Sequence, residues 1–171
     1  MVRYKRVILA AAITLLLILL VCIPFRESVV IEDGQNGKLL AYFPLEEDKT
    51  FHIQYTHSIH LSNVKETYQV LAGGTIRQIE LMYEDTSIGM PSNAEEGETF
   101  EIIDGTYHIR NMKRDFPFIA LRVGQVAANH KLIVYDKTVP FTSFVQPGSF
   151  VKVKEKRLAL WQLWKGVNIV G

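Results

Sequence analysis

The chain has a single cysteine, Cys22, and it lies inside an apolar run near the N-terminus. No disulfide can brace the region that follows, and thiol chemistry has no residue there to use. About 140 residues must therefore be held together by their own core, which a domain of that size can do. The chain also lacks an excess of either charge, with 19 Lys and Arg against 18 Asp and Glu. Setting aside Arg3, Lys5 and Arg6 leaves 16 basic residues against 18 acidic ones, a net of −2. That balance offers no clustered basic face and excludes nucleic acid as a partner. No glycine-rich phosphate loop is present, because Gly73-Gly74 and Asp104-Gly105 read as turns. Internal repeats and low-complexity segments are absent too.

One long apolar run is there. It extends from Val7 to Ile23 without a charged residue, behind the basic "MVRYKR". Its length falls at the lower end of the ~17–25 residues that cross a bilayer. Basic residues precede it, while Arg26 and Glu27 cancel after it. The charge asymmetry predicts a cytoplasmic N-terminus and an extracytoplasmic remainder. A cleaved signal would want small residues at its exit, whereas Ala10–Ala12 come early and the exit reads "VCIPFRESVV". A lipid-modified Cys22 would want a small residue where Val21 stands. The reading is a single-pass signal anchor over residues 7–25 in the cell membrane, with 1–6 cytoplasmic, a domain over 26–157, and a tail over 158–171.

Past Arg26 the sequence is a series of short alternating runs separated by turn signals, which predicts an all-β domain, sandwich or barrel. "SVVIED", "KLLAYFPL", "TFHIQYTHSI", "VKETYQVL", "TIRQIELMYE", "FPFIALRVG", "HKLIVYDKTV" and "FVKVKEK" each read as one strand. "FEIIDGTYHIR" reads as a hairpin, because Asp-Gly favours the type I′ turn. "TSIGMPSNAEEGET" is the longest predicted loop, its acidic part solvated or weakly holding a hard cation, and "GQVAANH" is helix or loop. The tail "RLALWQLWKGVNIVG" holds both tryptophans, Trp161 and Trp164. It fits a short helix on a membrane surface or a last element packed on the core.

The stretch "YTHSIHLSNVKETY" concentrates the chemistry. With a period of two, Tyr55, His57 and Ile59 share a face, while Ser58 and His60 point the other way. If "HLSN" is the loop of an antiparallel hairpin, His57 stands opposite Glu66 and Tyr55 opposite Tyr68. A two-residue loop would make His57 diagonal to Glu66. Either way, one imidazole and one carboxylate lie on an otherwise apolar face. Such groups need partners, so His57–Glu66 is either a closed pair fixing register or a ligand-facing histidine oriented by a carboxylate. Ser58 adjoins His57 in the strand and faces away, which defeats a Ser–His–Glu triad. No metal set and no cofactor motif emerges, since only His57 and Glu66 share the face. His52 and His60 are expected in solvent, and His130 is expected to cap a turn or line a pocket.

"YTHSIHLSNVKETYQV" resembles the signature of the DUF1850 family, through Tyr55, His57, Ser58, Val64, Glu66 and Tyr68. "SIGMP" is similar to a later family segment, keeping Gly89 and Pro91 with Ser87 where a second Gly is common. "NHKLIV" and "PFTSFVQPGSFVKV" resemble two further pieces, so the likeness runs from about Val29 to Val153. The resemblance implies a small extracytoplasmic domain found beside, or fused to, membrane subunits of TAXI-type TRAP carriers for small organic anions. Ligand-binding candidates are His57, Glu66, Tyr55, Tyr68, Ser58 and His130. The expected function is a membrane-anchored accessory domain that binds a transporter subunit or a small organic anion. The alternatives are a structural interaction module with a buried His–Glu pair, or a membrane-proximal hydrolase with His57 as base.

Overall fold

A computed structural model of the chain describes every residue except Met1, His60, residues 86–89 and Val126, and the backbone alone of Val2 and Arg3. His60, Ser87 and Gly89 therefore lie outside the described residues. The chain begins with helix α1, Val2–Cys22, exposed on nearly all sides. Its apolar part, Tyr4–Cys22, is 19 residues. At ~1.5 Å per residue that matches the ~30 Å hydrocarbon layer. Among the described residues, it is the one helix long and apolar enough to cross a membrane.

Among the described residues twelve strands follow: β1 Arg26–Asp33, β2 Leu39–Pro44, β3 Thr50–Thr56, β4 Asn63–Val70, β5 Ile76–Tyr83, β6 Thr99–Ile103, β7 Thr106–Phe116, β8 Ile119–Arg122, β9 Lys131–Val134, β10 Lys137–Pro140, β11 Phe150–Leu158 and β12 Val167–Asn168. A 3-10 turn, Phe141–Ser143, precedes β11, and helix α2, Leu160–Lys165, lies between β11 and β12. The strands form a five-stranded sheet, β12-β2-β1-β11-β8, and a seven-stranded sheet, β10-β9-β3-β4-β5-β7-β6. One core is shared between them. Val29, Ile31, Phe43, Val151 and Val153 from the first sheet cluster with Phe51, Ile53, Tyr68, Val70 and Leu132 from the second. The rings of Phe43 and Phe51 meet edge-on across the gap, 5.6 Å apart. This is a sandwich, as alternating apolar residues on two inner faces require.

Strand β1 is buried along most of its length on both faces, where simple alternation predicts one. Its outer face is covered as well: Val30, Tyr42 and Leu158 pack with Leu39 and with Leu163 of α2. Glu32, also buried, pairs with Lys154 at 2.7 Å and Lys156 at 3.1 Å. The tail divides in two. Ile169 joins the main core, and β12 pairs with β2 in parallel, whereas Trp161 and Trp164 remain outside.

The hairpin at Asp104-Gly105 forms as expected, both residues having positive φ. "HKLIVYDKTV" does not form one strand. It breaks at Tyr135 (φ 55°) into the hairpin β9–β10. The "AEEGE" loop is not simply solvated. Arg114 reaches Glu95 at 2.9 Å and Glu98 at 3.3 Å, and the Glu98 side chain is buried. The Tyr83 hydroxyl donates to the Pro91 carbonyl, so this loop is held down at its start too.

Candidate functional site

Strand β4 is the central strand of the seven-stranded sheet, and Glu66 is in its middle. The pairing runs Phe51↔Tyr68, Ile53↔Glu66 and Tyr55↔Val64 on one side, and Glu66↔Leu81 on the other. Leu81 in turn pairs with Ile109. Glu66 is thus the one ionisable residue in a row of Leu132, Ile53, Leu81 and Ile109 on the inner face.

The expected opposition of His57 and Glu66 is corrected by this register. Ile53, not His57, faces Glu66. The strand ends at Thr56, earlier than alternation suggests, and the Thr56 amide donates to the Ala128 carbonyl (2.8 Å). The chain then closes a tight turn. The His57 amide donates to the Ser62 carbonyl, and the Leu61 amide donates back to His57 (2.9 Å), with Leu61 at φ 55°. His57 is therefore four residues along from Glu66's true partner, roughly 13 Å at ~3.3 Å per residue. Tyr55, Glu66 and Tyr68 keep their shared face, since the register moves by an even number of residues, while His57 lies past the end of the strand. Ser58 is exposed in the turn rather than on the opposite strand face.

Three side chains do converge. The Tyr68 hydroxyl donates to Glu66 Oε2 at 2.8 Å. Tyr68 is buried and stacks on Phe51, centroids 5.5 Å apart. Burial lifts the Glu66 carboxyl above its ordinary value, and the Tyr68 bond pulls back only partly. Tyr55 sits diagonally across from Glu66 and is raised to about 12, by burial first and by the Glu66 charge second. Tyr68 is raised as well, by burial and then by the Glu66 charge. Glu66 and Tyr55 are each half-buried, and burial is the first cause of the shift at both groups.

His130 joins Tyr55 from the loop between β8 and β9. Its ring lies 5.4 Å from that of Tyr55 and edge-on to Phe141. The Gly124 amide donates to His130 Nδ1 at 3.1 Å, so the neutral ring carries its proton on Nε2. Burial holds the imidazole below its usual value and keeps it neutral. Two backbone features make this possible. Asn129 adopts φ 36°, a conformation that asparagine tolerates. Gly124 has Ala128 Cβ where its own Cβ would be, at 2.5 Å, so the loop can close only with glycine there. His130 is expected to cap a turn or line a pocket; its ring lies against that of Tyr55.

The outer face of the same sheet holds a polar ladder that alternation alone places in solvent. His52 Nδ1 and Thr67 Oγ1 are 3.0 Å apart, and Arg110 donates to Glu80 at 3.0 Å and to Glu101 at 2.9 Å. His52 is half-buried in this ladder, not freely solvated, and burial lowers its imidazole pKa. Cross-strand pairing of His52 with Thr67 and of Thr67 with Glu80 is the register consequence that could have foretold it. Among the described residues, no group of three or more His, Cys, Asp or Glu side chains could hold a metal ion.

A family model described as "Domain of unknown function (DUF1850)" matches residues 51–141. The chain belongs to the DUF1850 family. The DUF1850 match spans nearly the whole seven-stranded sheet, from β3 through β10, with its hairpin and the His130 loop. Helix α1, strands β1, β2 and β11 and the tryptophan tail lie outside it. No curated protein and no solved structure matches the chain. The family-defining part is thus the sheet that carries Glu66. The other sheet joins it to α1.

Proposed function

We propose that this DUF1850 protein is a membrane-anchored, outward-facing binding module for a small organic anion, and that Glu66, Tyr55, Tyr68 and His130 form its site. The observation that carries the reading is a half-buried carboxyl at the centre of an apolar sheet face, bonded to a buried tyrosine. A carboxyl placed there costs folding free energy, and perturbed ionisable groups of this kind cluster at sites that use them. A bound carboxylate would share a proton with Glu66, taking hydrogen bonds from Tyr55 Oη and from His130 Nε2. His57 and Ser58, at the end of β3, would stand at the rim.

The test is titration of the full chain with small dicarboxylates such as succinate, followed by calorimetry across pH. Because binding takes up one proton on Glu66, affinity should fall by up to about tenfold per pH unit once the pH exceeds the carboxyl's raised value. Glu66→Gln, permanently neutral, should bind with a flat profile over the same window. Identical profiles for both proteins would rule out Glu66 as the proton carrier, and no heat at any pH would sink the site.

The partner reading rests on family habit. We infer that α1 anchors the domain beside the membrane subunits of a TAXI-type TRAP carrier. Affinity capture of the full chain from native membranes should enrich such a subunit over a control bait carrying an unrelated anchor. Equal recovery on both baits would remove that reading and leave the ligand reading intact.

A further inference from the structure

We propose that α2 and the groove behind it dock on the surface of the bilayer that α1 crosses, and that the groove takes the anionic headgroup of a phospholipid. The proposal rests on reading α1 as membrane-spanning and goes beyond the binding site on the other sheet. Several observations converge on it. The Phe25 amide, just past the end of α1, donates to the Leu158 carbonyl at 3.1 Å. Leu158 is two residues before α2, and α1 and α2 are in contact. The helix that leaves the hydrocarbon is thus tied to the start of α2, and α2 sits at the depth where α1 emerges.

What α2 presents there suits an interface. Leu163 turns inward to Leu39, Tyr42 and Leu158, and the Tyr42 hydroxyl donates to the Leu163 carbonyl at 3.2 Å. Gln162 Oε1 accepts the Ala159 amide at 2.9 Å, fixing the helix start. Trp161 is then 40% exposed and Trp164 72% exposed. Ile23, Phe25 and Val167 are exposed as well, each by more than half. Large aromatics left in water cost free energy, whereas at headgroup depth their amphipathic rings are at home.

The groove supplies the charge. It has a volume of about 510 Å³ and is lined by Glu32, Lys38, Lys156, Trp161, Gln162 and Lys165, among others. Glu32 is already neutralised by Lys154 and Lys156. Lys165 Nζ lies 4.9 Å over the Trp161 ring, so a cation stands at the groove rim beside the aromatic face. Lys38 and Lys165 are the charges left to meet a phosphate. Anionic lipid attracts such residues.

The chain's only two tryptophans are in α2, so tryptophan emission, excited selectively at wavelengths where tyrosine does not absorb, reports on this surface alone. The full chain is placed in nanodiscs of phosphatidylcholine, alone or mixed with phosphatidylglycerol, with lipids brominated near the headgroup or deep in the tail. Shallow bromine should quench emission by roughly twofold and deep bromine much less, as interfacial rings require. Phosphatidylglycerol should deepen the quenching, and the double variant Lys38→Gln, Lys165→Gln should lose that increment while staying in the disc. Emission untouched by bromine but quenched by aqueous iodide would overturn the docking. Quenching indifferent to phosphatidylglycerol would overturn the headgroup site. A chain that leaves the discs altogether would instead refute the spanning reading of α1, and the docking with it.

Discussion

Phe51→Ala should cost about 3–5 kcal/mol, a large share of the ~5–15 kcal/mol that holds a domain together. Its side chain is fully buried. It touches both layers of the sandwich, edge-on to Phe43 from the five-stranded sheet and stacked on Tyr68 from its own. Each aromatic pair adds ~0.5–1.5 kcal/mol beyond the area it buries. Truncation therefore removes volume, two ring contacts and the support of the tyrosine that holds Glu66. Thermal unfolding of the full chain in micelles, followed by near-ultraviolet circular dichroism, should show a midpoint lower by roughly 10 °C. Phe51→Leu, which keeps most of the volume, should lose less than half as much. A drop of under ~1 kcal/mol for the alanine variant would mean that the two sheets do not meet at this ring.

What alternation can reveal, and what it cannot, is clearest around the same strand. The choice of face followed directly from the pattern: Phe51, Ile53, Tyr55, Glu66 and Tyr68 do lie on one side. Period-two reasoning survives any even slip in register, so the grouping was legible while the pairing was not. The pairing depends on where β3 ends and the turn closed by His57, Leu61 and Ser62 begins. The turn that follows places Leu61 at φ 55°, and the β9–β10 turn places Tyr135 there. Neither residue announces a turn. Asp104-Gly105 does, because that pair supplies two positive φ values cheaply, and there the expected hairpin was found. His130 reaches Tyr55 through a loop whose shape rests on Asn129 and Gly124, an arrangement that no local pattern encodes. The two-sided burial of β1 has the same origin, since α2 folds back over it from the far end of the chain.

Glu66→Gln should strengthen the fold at neutral and higher pH while removing the pH dependence of binding. Burial raises the folded carboxyl above its ordinary value of 4.5. Below that ordinary value the group is protonated in both folded and unfolded chains and does no harm. As pH rises, the unfolded chain ionises freely and the folded one resists, so stability is lost until the pH passes the folded value and is then level. The difference in unfolding midpoint between Glu66→Gln and the native protein should therefore start near zero in acid, widen in favour of the variant above pH 4.5, and level off once the pH passes the raised folded value. Other titrating groups are common to both proteins and cancel. The glutamine keeps an oxygen for the Tyr68 hydroxyl, so the variant removes charge without removing the bond. Glu66→Leu should be at least as stable, because apolar replacement of a buried ionisable group is often neutral or favourable, yet it should bind dicarboxylate some hundredfold more weakly through loss of the shared proton. A residue that weakens the fold and strengthens binding is held for its use. If Glu66→Leu instead lowers the midpoint at every pH, the carboxyl and Tyr68 are a scaffold pair that fixes the centre of the sheet, and the ligand site must be sought elsewhere.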